Sequence, residues 1–160
     1  DGAIQYVVEG HPVRVIMLDT LIPGAEGGRL CGERLDWLSA RLEEDRDRPT
    51  LIAMHHPPVL TGIDGFDAEP LEGRTTLEAL LHRHPHVVRL AAGHLHRPLA
   101  AGWAGTALTV CPSPAFAVTL DLRPDVGLSI HDGGPAYQLH RWTGEDGRAL
   151  ITHTRVVGAL

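Results

Sequence analysis

Apolar positions along the chain recur with two different periods, and these divide it into helix-like and strand-like segments. The segment "GERLDWLSARLEED" places Leu35, Leu38 and Leu42 at intervals of three and four residues with charges between them, which predicts an amphipathic helix. "RTTLEALLHRHP" predicts a second helix, which Pro85 ends. "TLIAM" and "VVRLAA" are apolar without alternation, as is typical of strands buried on both faces. Helices alternating with buried strands predict an α/β fold with layered packing.

The remaining segments predict strands and loops around this framework. "AIQYVVEG" and "PVRVIMLDT" flank a Gly-His-Pro turn and predict a hairpin, while residues 59–72, rich in Gly and Asp, predict a loop. From Trp103 onward the pattern predicts successive antiparallel strands, with turns at 132–134 and 145–147; their sequences are "TALTVCP", "FAVTLDL", "GLSIHD", "AYQLHRWT" and "ALITHTRVV". No linker or repeat interrupts the chain, so residues 1–160 are predicted to form part of one domain with a β-rich tail over 121–160.

Composition narrows the classes of partner. The net charge is −6, and a nucleic acid polymer, which is itself negatively charged, is therefore not expected as a partner. All 14 basic residues are arginines. No apolar run reaches the roughly 20 residues that a membrane-spanning helix needs, and a basic, apolar export signal is absent from the start of the sequence. We therefore expect no membrane association and a cytoplasmic location. Cys31 and Cys111 are far apart and in no metal-binding spacing, which favours reduced thiols.

Two histidine clusters follow the two buried strands directly. His55 comes after "LIAM" and His94 after "RLAA", and in layered α/β folds ligands gather at the carboxyl ends of the strands. Neutral imidazole is the most common metal ligand in proteins. In an extended chain His94 and His96 would point to the same side, and Gly93 would keep a Cβ out of the site. The sequence therefore predicts a metal site formed by His55, His94 and His96.

The other histidines have simpler interpretations. Because adjacent side chains point in opposite directions, His56 is expected to hydrogen-bond behind the ligands rather than bind metal. His82, His84 and His86 surround the end of a helix and are expected to face solvent. Four isolated histidines are expected on the surface or as satisfied core residues: His11, His131, His140 and His153.

The two motifs together carry a resemblance. "MHHPP" at residues 54–58 followed by "AGHLH" at 92–96 resembles the second half of the calcineurin-like metallophosphoesterases, most of all the bacterial class III cyclic nucleotide and glycerophosphodiester phosphodiesterases. The resemblance implies an αββα sandwich with two divalent metal ions and a small phosphodiester as substrate. It implies that His55 and His94 bind one ion and His96 the other, and that the C-terminal region contributes to dimer contacts.

Departures from the family pattern are equally specific. The chain contains no Asp-x-His, no Gly-Asp and no Asn, so the metal-bridging carboxylate and the Asn ligand of the family cannot come from these 160 residues. The chain also starts abruptly, without Met. We therefore expect it to be the C-terminal half of such an enzyme, with about 1–120 as its catalytic half. A degenerate homologue is the alternative. Alone, the segment is expected to be inactive, to hold one metal ion or none, and to form a homodimer or to associate with the missing N-terminal half.

Two other functions stay open at this point. The chain could be a metal-binding or assembly module without turnover, or a mononuclear zinc hydrolase complete with three histidines and a water. The sequence upstream of Asp1 would discriminate between these readings, since the first requires the absent motifs there. Histidine with carboxylate ligands accepts Mn, Fe, Co or Zn, so the metal stays undetermined. "TGIDGFDAEP" is expected to line the pocket, without deciding between cyclic nucleotides and glycerophosphodiesters.

Overall fold

The computed structural model describes residues 2–144 and 149–158, which include three helices and ten strands. The strands are β1 Tyr6–Val8, β2 Arg14–Met17, β3 Thr50–Ala53, β4 Val87–Ala92, β5 Leu99–Trp103, β6 Thr106–Val110, β7 Ala117–Val118, β8 Ile130–His131, β9 Ala136–Trp142 and β10 Leu150–Val156. The helices are α1 Gly32–Glu43, α2 Asp64–Asp67 and α3 Arg74–Leu81.

A six-stranded mixed sheet forms the centre of the fold, in the order β1-β2-β3-β4-β6-β5. The four inner strands β2, β3, β4 and β6 are parallel, and the two edge strands pair antiparallel with their neighbours. The hairpin of β1 and β2 is as the sequence predicts. Since β3 and β4 are parallel neighbours, their carboxyl ends meet at one edge of the sheet, as the histidine argument requires.

Both long helices belong to one apolar core with the sheet. The helix α1 buries Leu35, Leu38 and Leu42, the positions that its sequence pattern predicts. The helix α3 buries Leu77, Leu80 and Leu81 and ends before Pro85. The alternating helices and buried strands of the predicted α/β fold are confirmed.

A hairpin formed by β9 and β10 covers part of the opposite face of the sheet. Leu90 of β4 is fully buried in the helix-side core, whereas the adjacent Arg89 donates a hydrogen bond to the backbone carbonyl of Leu150 at 2.5 Å. Because adjacent strand residues point to opposite faces, the hairpin lies across the sheet from the helices. The order of layers is therefore helices, six-stranded sheet and hairpin.

The tail differs in part from its prediction. "TALTVCP" forms β6, parallel to β4 inside the main sheet, rather than a strand of an antiparallel series. "FAVTLDL" and "GLSIHD" keep only the two-residue strands β7 and β8, whereas β9 and β10 form the expected long ladder. The sequence prediction also missed β5 and the short helix α2 within 59–72. The turn predicted at 145–147 lies outside the described residues.

Many apolar side chains of the tail remain exposed. Leu122, Ile130 and Leu139 each keep about 60% of their surface accessible, at 61%, 65% and 58%.

No helix among the described residues is long and apolar enough to cross a membrane. Cys31 and Cys111 are both free, as expected. The cytoplasmic location stays a prediction.

Candidate metal centre

The backbone brings His55 and His94 together by extending the β3–β4 ladder beyond the strands. Met54 donates its N–H to the carbonyl of Ala91 at 3.0 Å, and Gly93 donates to the carbonyl of His55 at 3.0 Å. These bonds place the two histidines side by side at the carboxyl edge of the sheet. Their facing nitrogens, Nε2 of His55 and Nδ1 of His94, are 3.3 Å apart.

The backbone at His94 and His96 is not extended, contrary to the sequence prediction. Both residues have left-handed backbone, with φ of 71° and 52° respectively. Leu95 donates its N–H to the carbonyl of Gly93 at 2.8 Å, which closes a tight turn centred on His94. This backbone conformation costs about 1–3 kcal/mol for each residue other than glycine, and it is found most often at functional sites. His94 and His96 are therefore placed by left-handed backbone rather than by strand alternation.

His96 is near the other two rings but does not belong to their tight cluster. Its ring packs against Phe116 at a tilt, with centroids 4.3 Å apart, and it is not in the group of histidines whose nitrogens all lie within 4.8 Å of one another. That group consists of His55, His56 and His94. The Nδ1 atom of His96 is buried and has no hydrogen-bond partner among the described residues. An atom in that position has an unused lone pair or an unused proton.

His56 is held by hydrogen bonds at both ring nitrogens. Its Nε2 lies 2.9 Å from the carbonyl oxygen of Glu26, and its Nδ1 lies 2.8 Å from the hydroxyl of Thr20. A carbonyl oxygen can only accept, so Nε2 carries the proton and Nδ1 accepts from Thr20. The ring is 4% exposed and Thr20 is 1% exposed. Although His56 is close to the other two rings, both of its nitrogens are occupied by hydrogen bonds in this structure.

The sequence did not indicate two residues of this arrangement, Thr20 and Gly28. Thr20 lies in the connection after β2. A Cβ on Gly28 would lie 2.4 Å from Nδ1 of His56, so only glycine allows the ring to occupy its place. The doublet Gly27-Gly28 was the available signal. The argument for Gly93 is wrong, however, because its φ is not positive and an added Cβ would meet His55 only at an ordinary 3.6 Å.

Electrostatics keep the clustered rings neutral. The pKa of His94 falls from 6.5 to about 4, chiefly because the ring is buried and also because His56, His55 and His96 are close. Burial, followed by the neighbouring His56 and His96, also lowers the pKa of His55. Burial lowers the pKa of His56, although its bond to the Glu26 carbonyl opposes the effect. At neutral pH the imidazoles are therefore in the form that binds metal ions.

Small cavities open beside His94, and residues of the segment 61–70 line them. A cavity of about 110 Å³ lies between Glu26, Phe66 and Leu128, and a second is lined by Thr61, Asp67 and Glu69 among others. The largest cavity of those found, about 690 Å³, lies at the amino ends of the strands beside Pro49 and His86. It is at the opposite edge of the sheet from His55 and His94.

The expectation that His84 faces solvent is wrong. Its side chain is 1% exposed and its Nε2 lies 3.4 Å from Oε1 of Glu43, at the end of α1. The backbone folds back after α3, where His84 donates its N–H to the carbonyl of Leu81 at 2.9 Å, and this turn directs the ring into the protein. His82 is exposed and His86 is half-buried. Burial lowers the pKa of both His84 and His86.

Comparisons with known proteins show which family the chain is related to. The chain is 40% identical to a probable glycerophosphodiester phosphodiesterase of Arcobacter nitrofigilis, over 97% of this chain and 56% of the relative. It is 39% identical to a probable cyclic nucleotide phosphodiesterase of Synechococcus, over 78% of this chain and 51% of the relative. It is 33% identical to the 3′,5′-cyclic adenosine monophosphate phosphodiesterase of Escherichia coli K12, over 65% of this chain and 38% of that protein.

The chain thus spans about half the length of the curated relatives at the top of this comparison. No protein-family model matches it. Among solved structures, a dimetal phosphatase from Danio rerio shares the fold, with a TM-score of 0.56 and 15% identity over 80% of this chain and 60% of that one. The sequence likeness and the common fold together assign the chain to the calcineurin-like metallophosphoesterase family.

Proposed function

We propose that this chain supplies part of the metal centre of a phosphodiesterase, with His55 and His94 as ligands of one divalent ion and His96 as a ligand of a second. The observation that carries the proposal is the 3.3 Å separation of Nε2 of His55 and Nδ1 of His94 at the carboxyl edge of the sheet. Two imidazole nitrogens at about 2.0–2.1 Å from one tetrahedral ion would be about 3.3 Å apart, so the pair fits a shared ion.

The donor set supports the same proposal. Both rings are neutral at pH 7, because burial and neighbouring histidines lower their pKa values. The ring of His56 packs 4.7 Å from each of them, centroid to centroid, and is itself fixed by Thr20 and Glu26. The cluster is therefore pre-organised, and little further ordering is needed when an ion binds.

The proposed position of His96 rests on a different observation. Its buried Nδ1 has no partner among the described residues, which is unfavourable unless a group outside the chain satisfies it. Phe116 holds the ring from one side.

Two adjacent divalent ions, when bound, would supply a metal-activated water and neutralise charge on the phosphoryl group. In that reaction this chain would hold the ions with neutral imidazoles, fix His94 and His96 through their left-handed backbone, and line the substrate space with residues 61–70. The bridging carboxylate and an Asn ligand would come from outside these 160 residues. We propose a small phosphodiester as substrate for the whole protein, and the names of the relatives favour a cyclic nucleotide or a glycerophosphodiester.

The exposed apolar tail supports the further proposal that the chain does not act alone. The outward face of the hairpin carries Tyr137 and Leu139, and Leu122 and Ile130 lie exposed nearby in sequence. Several large apolar side chains exposed in one region favour a partner that covers them. A homodimer, or association with a further part of the same enzyme, would cover it.

Metal binding in solution tests the proposal. We would titrate the chain with Mn²⁺ and Zn²⁺ and compare His55→Ala, His94→Ala and His96→Ala with His82→Ala, an exposed histidine outside the site. Loss of one of a small number of ligands is expected to weaken binding by at least tenfold, whereas His82→Ala is expected to bind as the parent does. Equal affinities in all four variants would overturn the proposal. In the whole protein, His94→Ala is expected to abolish phosphodiester hydrolysis.

A further inference from the structure

A cavity of about 210 Å³ lies between the carboxyl edge of the main sheet and the tail. His96 and Arg97, which follow β4, form one of its walls. The tail strands β7 and β10 contribute Val118 and Val156 to the other walls. The tail therefore bounds a space that begins directly at a proposed metal ligand.

Basic side chains line this cavity. Arg97 supplies a guanidinium, and His96 and His131 supply imidazoles. None of the described residues that line the cavity is an aspartate or a glutamate, although the chain as a whole has a net charge of −6. A negatively charged group would therefore be attracted into this space, and a positively charged one repelled.

The guanidinium of Arg97 is held in place, but its charge is not balanced. Its Nη1 donates to the backbone carbonyl of Val118 at 2.9 Å, which fixes the side chain against β7. None of the described residues offers it a carboxylate within salt-bridge distance. Arg97 is half-buried, and a guanidinium has five N–H donors, so donors remain for a ligand. An arginine fixed in this way loses little conformational freedom when an anion binds.

Glycine allows the segments of the tail to approach each other closely at this cavity. A Cβ on Gly133 would lie 2.8 Å from Cβ of Ala117 and 3.2 Å from Cε1 of His131. Ala136 donates its backbone N–H to the carbonyl of Ser113 at 3.1 Å, which ties the start of β9 to the connection after β6. Packing and backbone hydrogen bonds therefore fix the wall that the tail provides.

The volume of the cavity suits a short substituent with a small charged group. About 210 Å³ corresponds to roughly seven water molecules at liquid density, which is less than the roughly 300 Å³ of the smallest drug-sized sites. Because His96 lines the cavity, a phosphoryl group bound at the proposed metal centre would direct one of its ester substituents into it. The single guanidinium there balances one negative charge, and its planar geometry matches a carboxylate.

We propose that this cavity is a subsite for a carboxylate on one substituent of the phosphodiester, with Arg97 as the residue that determines this specificity. The inference rests on the proposed function and narrows its substrate class from any small phosphodiester to one whose alcohol carries an acidic group. Arg97 donates charge-assisted hydrogen bonds to the carboxylate, and His131 supplies a further polar contact.

Two phosphate esters of matched shape test the inference without turnover. We would titrate the Zn²⁺-loaded protein, followed by NMR, with 3-phosphoglycerate and with its carboxamide, which has the same shape and no charge on that group. Inorganic phosphate reports the phosphoryl site alone. The acid is expected to bind at least about tenfold more tightly than the amide, the difference that hydrogen bonds to a charged group give.

Substitutions then assign the preference to Arg97. Arg97→Gln is expected to bring the two affinities to within about twofold of each other. Arg97→Lys keeps the charge and loses the bidentate geometry, so it is expected to retain part of the preference. Arg155→Gln is the matched control, because Arg155 is exposed on β10 and points away from the face of Thr154 and Val156. It is expected to retain the whole preference.

The outcomes separate the inference from the function on which it rests. Equal binding of the acid and the amide by the parent protein would overturn the subsite and leave the metal centre intact. A preference that survives Arg97→Gln would do the same, because the carboxylate would then be bound elsewhere, for example by the zinc ion. Absence of binding by inorganic phosphate to the metal-loaded protein would overturn both, because the subsite depends on the phosphoryl site.

Discussion

Replacing Thr20 by valine removes the hydroxyl that holds His56 and changes little else. The residue is 1% exposed, and valine has nearly the same shape. In the parent the hydroxyl donates to Nδ1 of His56 at 2.8 Å and accepts the backbone N–H of His56 at 3.4 Å. Valine satisfies neither atom, and water cannot readily replace the hydroxyl in a buried position.

The magnitude follows from the number and burial of these bonds. A buried polar atom that loses its partner costs about 1–3 kcal/mol, and the longer bond adds little. For a domain of this size, Thr20→Val should therefore lower the free energy of unfolding by about 1–3 kcal/mol and the melting temperature by roughly 2–12 °C. Since the ring of His56 would no longer be fixed beside His55 and His94, metal affinity should fall as well.

Urea unfolding measures the stability change, with an unaltered m value as the check that both states keep their compactness. Thr20→Ser is the matched control because it keeps the hydroxyl and loses one methyl group, for which we expect at most about 1 kcal/mol. If Thr20→Val unfolds at the same urea concentration as the parent, the hydrogen bond does not hold His56. If Thr20→Ser is as unstable as Thr20→Val, the effect is one of packing.

Three further predictions concern pH, catalysis and assembly. The pKa of His94 is about 4 in the folded protein against an ordinary 6.5, so the unfolded chain binds more protons between these pH values. The free energy of unfolding should therefore be greatest above about pH 6.5 and decrease as the pH falls toward 4. Urea midpoints that stay constant over this range would contradict the prediction. The chain by itself should have negligible activity on bis(p-nitrophenyl) phosphate with Mn²⁺, because it lacks a bridging carboxylate; turnover equal to that of the whole protein would refute this. Light scattering of the purified chain should show a species larger than 17.3 kDa, and a monodisperse monomer would indicate that the tail needs no partner.

The placement of His55 and His94 could be predicted because it depends on local signals. The strands Thr50–Ala53 and Val87–Ala92 are apolar without alternation, which indicates buried parallel neighbours, and a histidine follows each strand after one intervening residue. Pairing of these strands then brings the two residues together with no further information.

The details of the site depend on contacts that the sequence pattern does not encode. The left-handed backbone at His94 and His96 has no signal in the sequence, since neither residue is glycine, and it breaks the strand alternation that the sequence predicts. The burial of His84 depends on where the chain turns after α3, and β5 lacks the β-branched residues that mark strands, being "LAAGW". Thr20 contacts His56 across 36 positions, a distance that no local period spans.

Anomalous diffraction from a crystal of the zinc-loaded chain tests the central claim most directly. The account predicts a zinc peak within about 2.0–2.1 Å of both Nε2 of His55 and Nδ1 of His94, with His56 still bonded to Thr20 and Glu26. A zinc peak coordinated by His56, or no peak between His55 and His94 at saturating zinc, would contradict it.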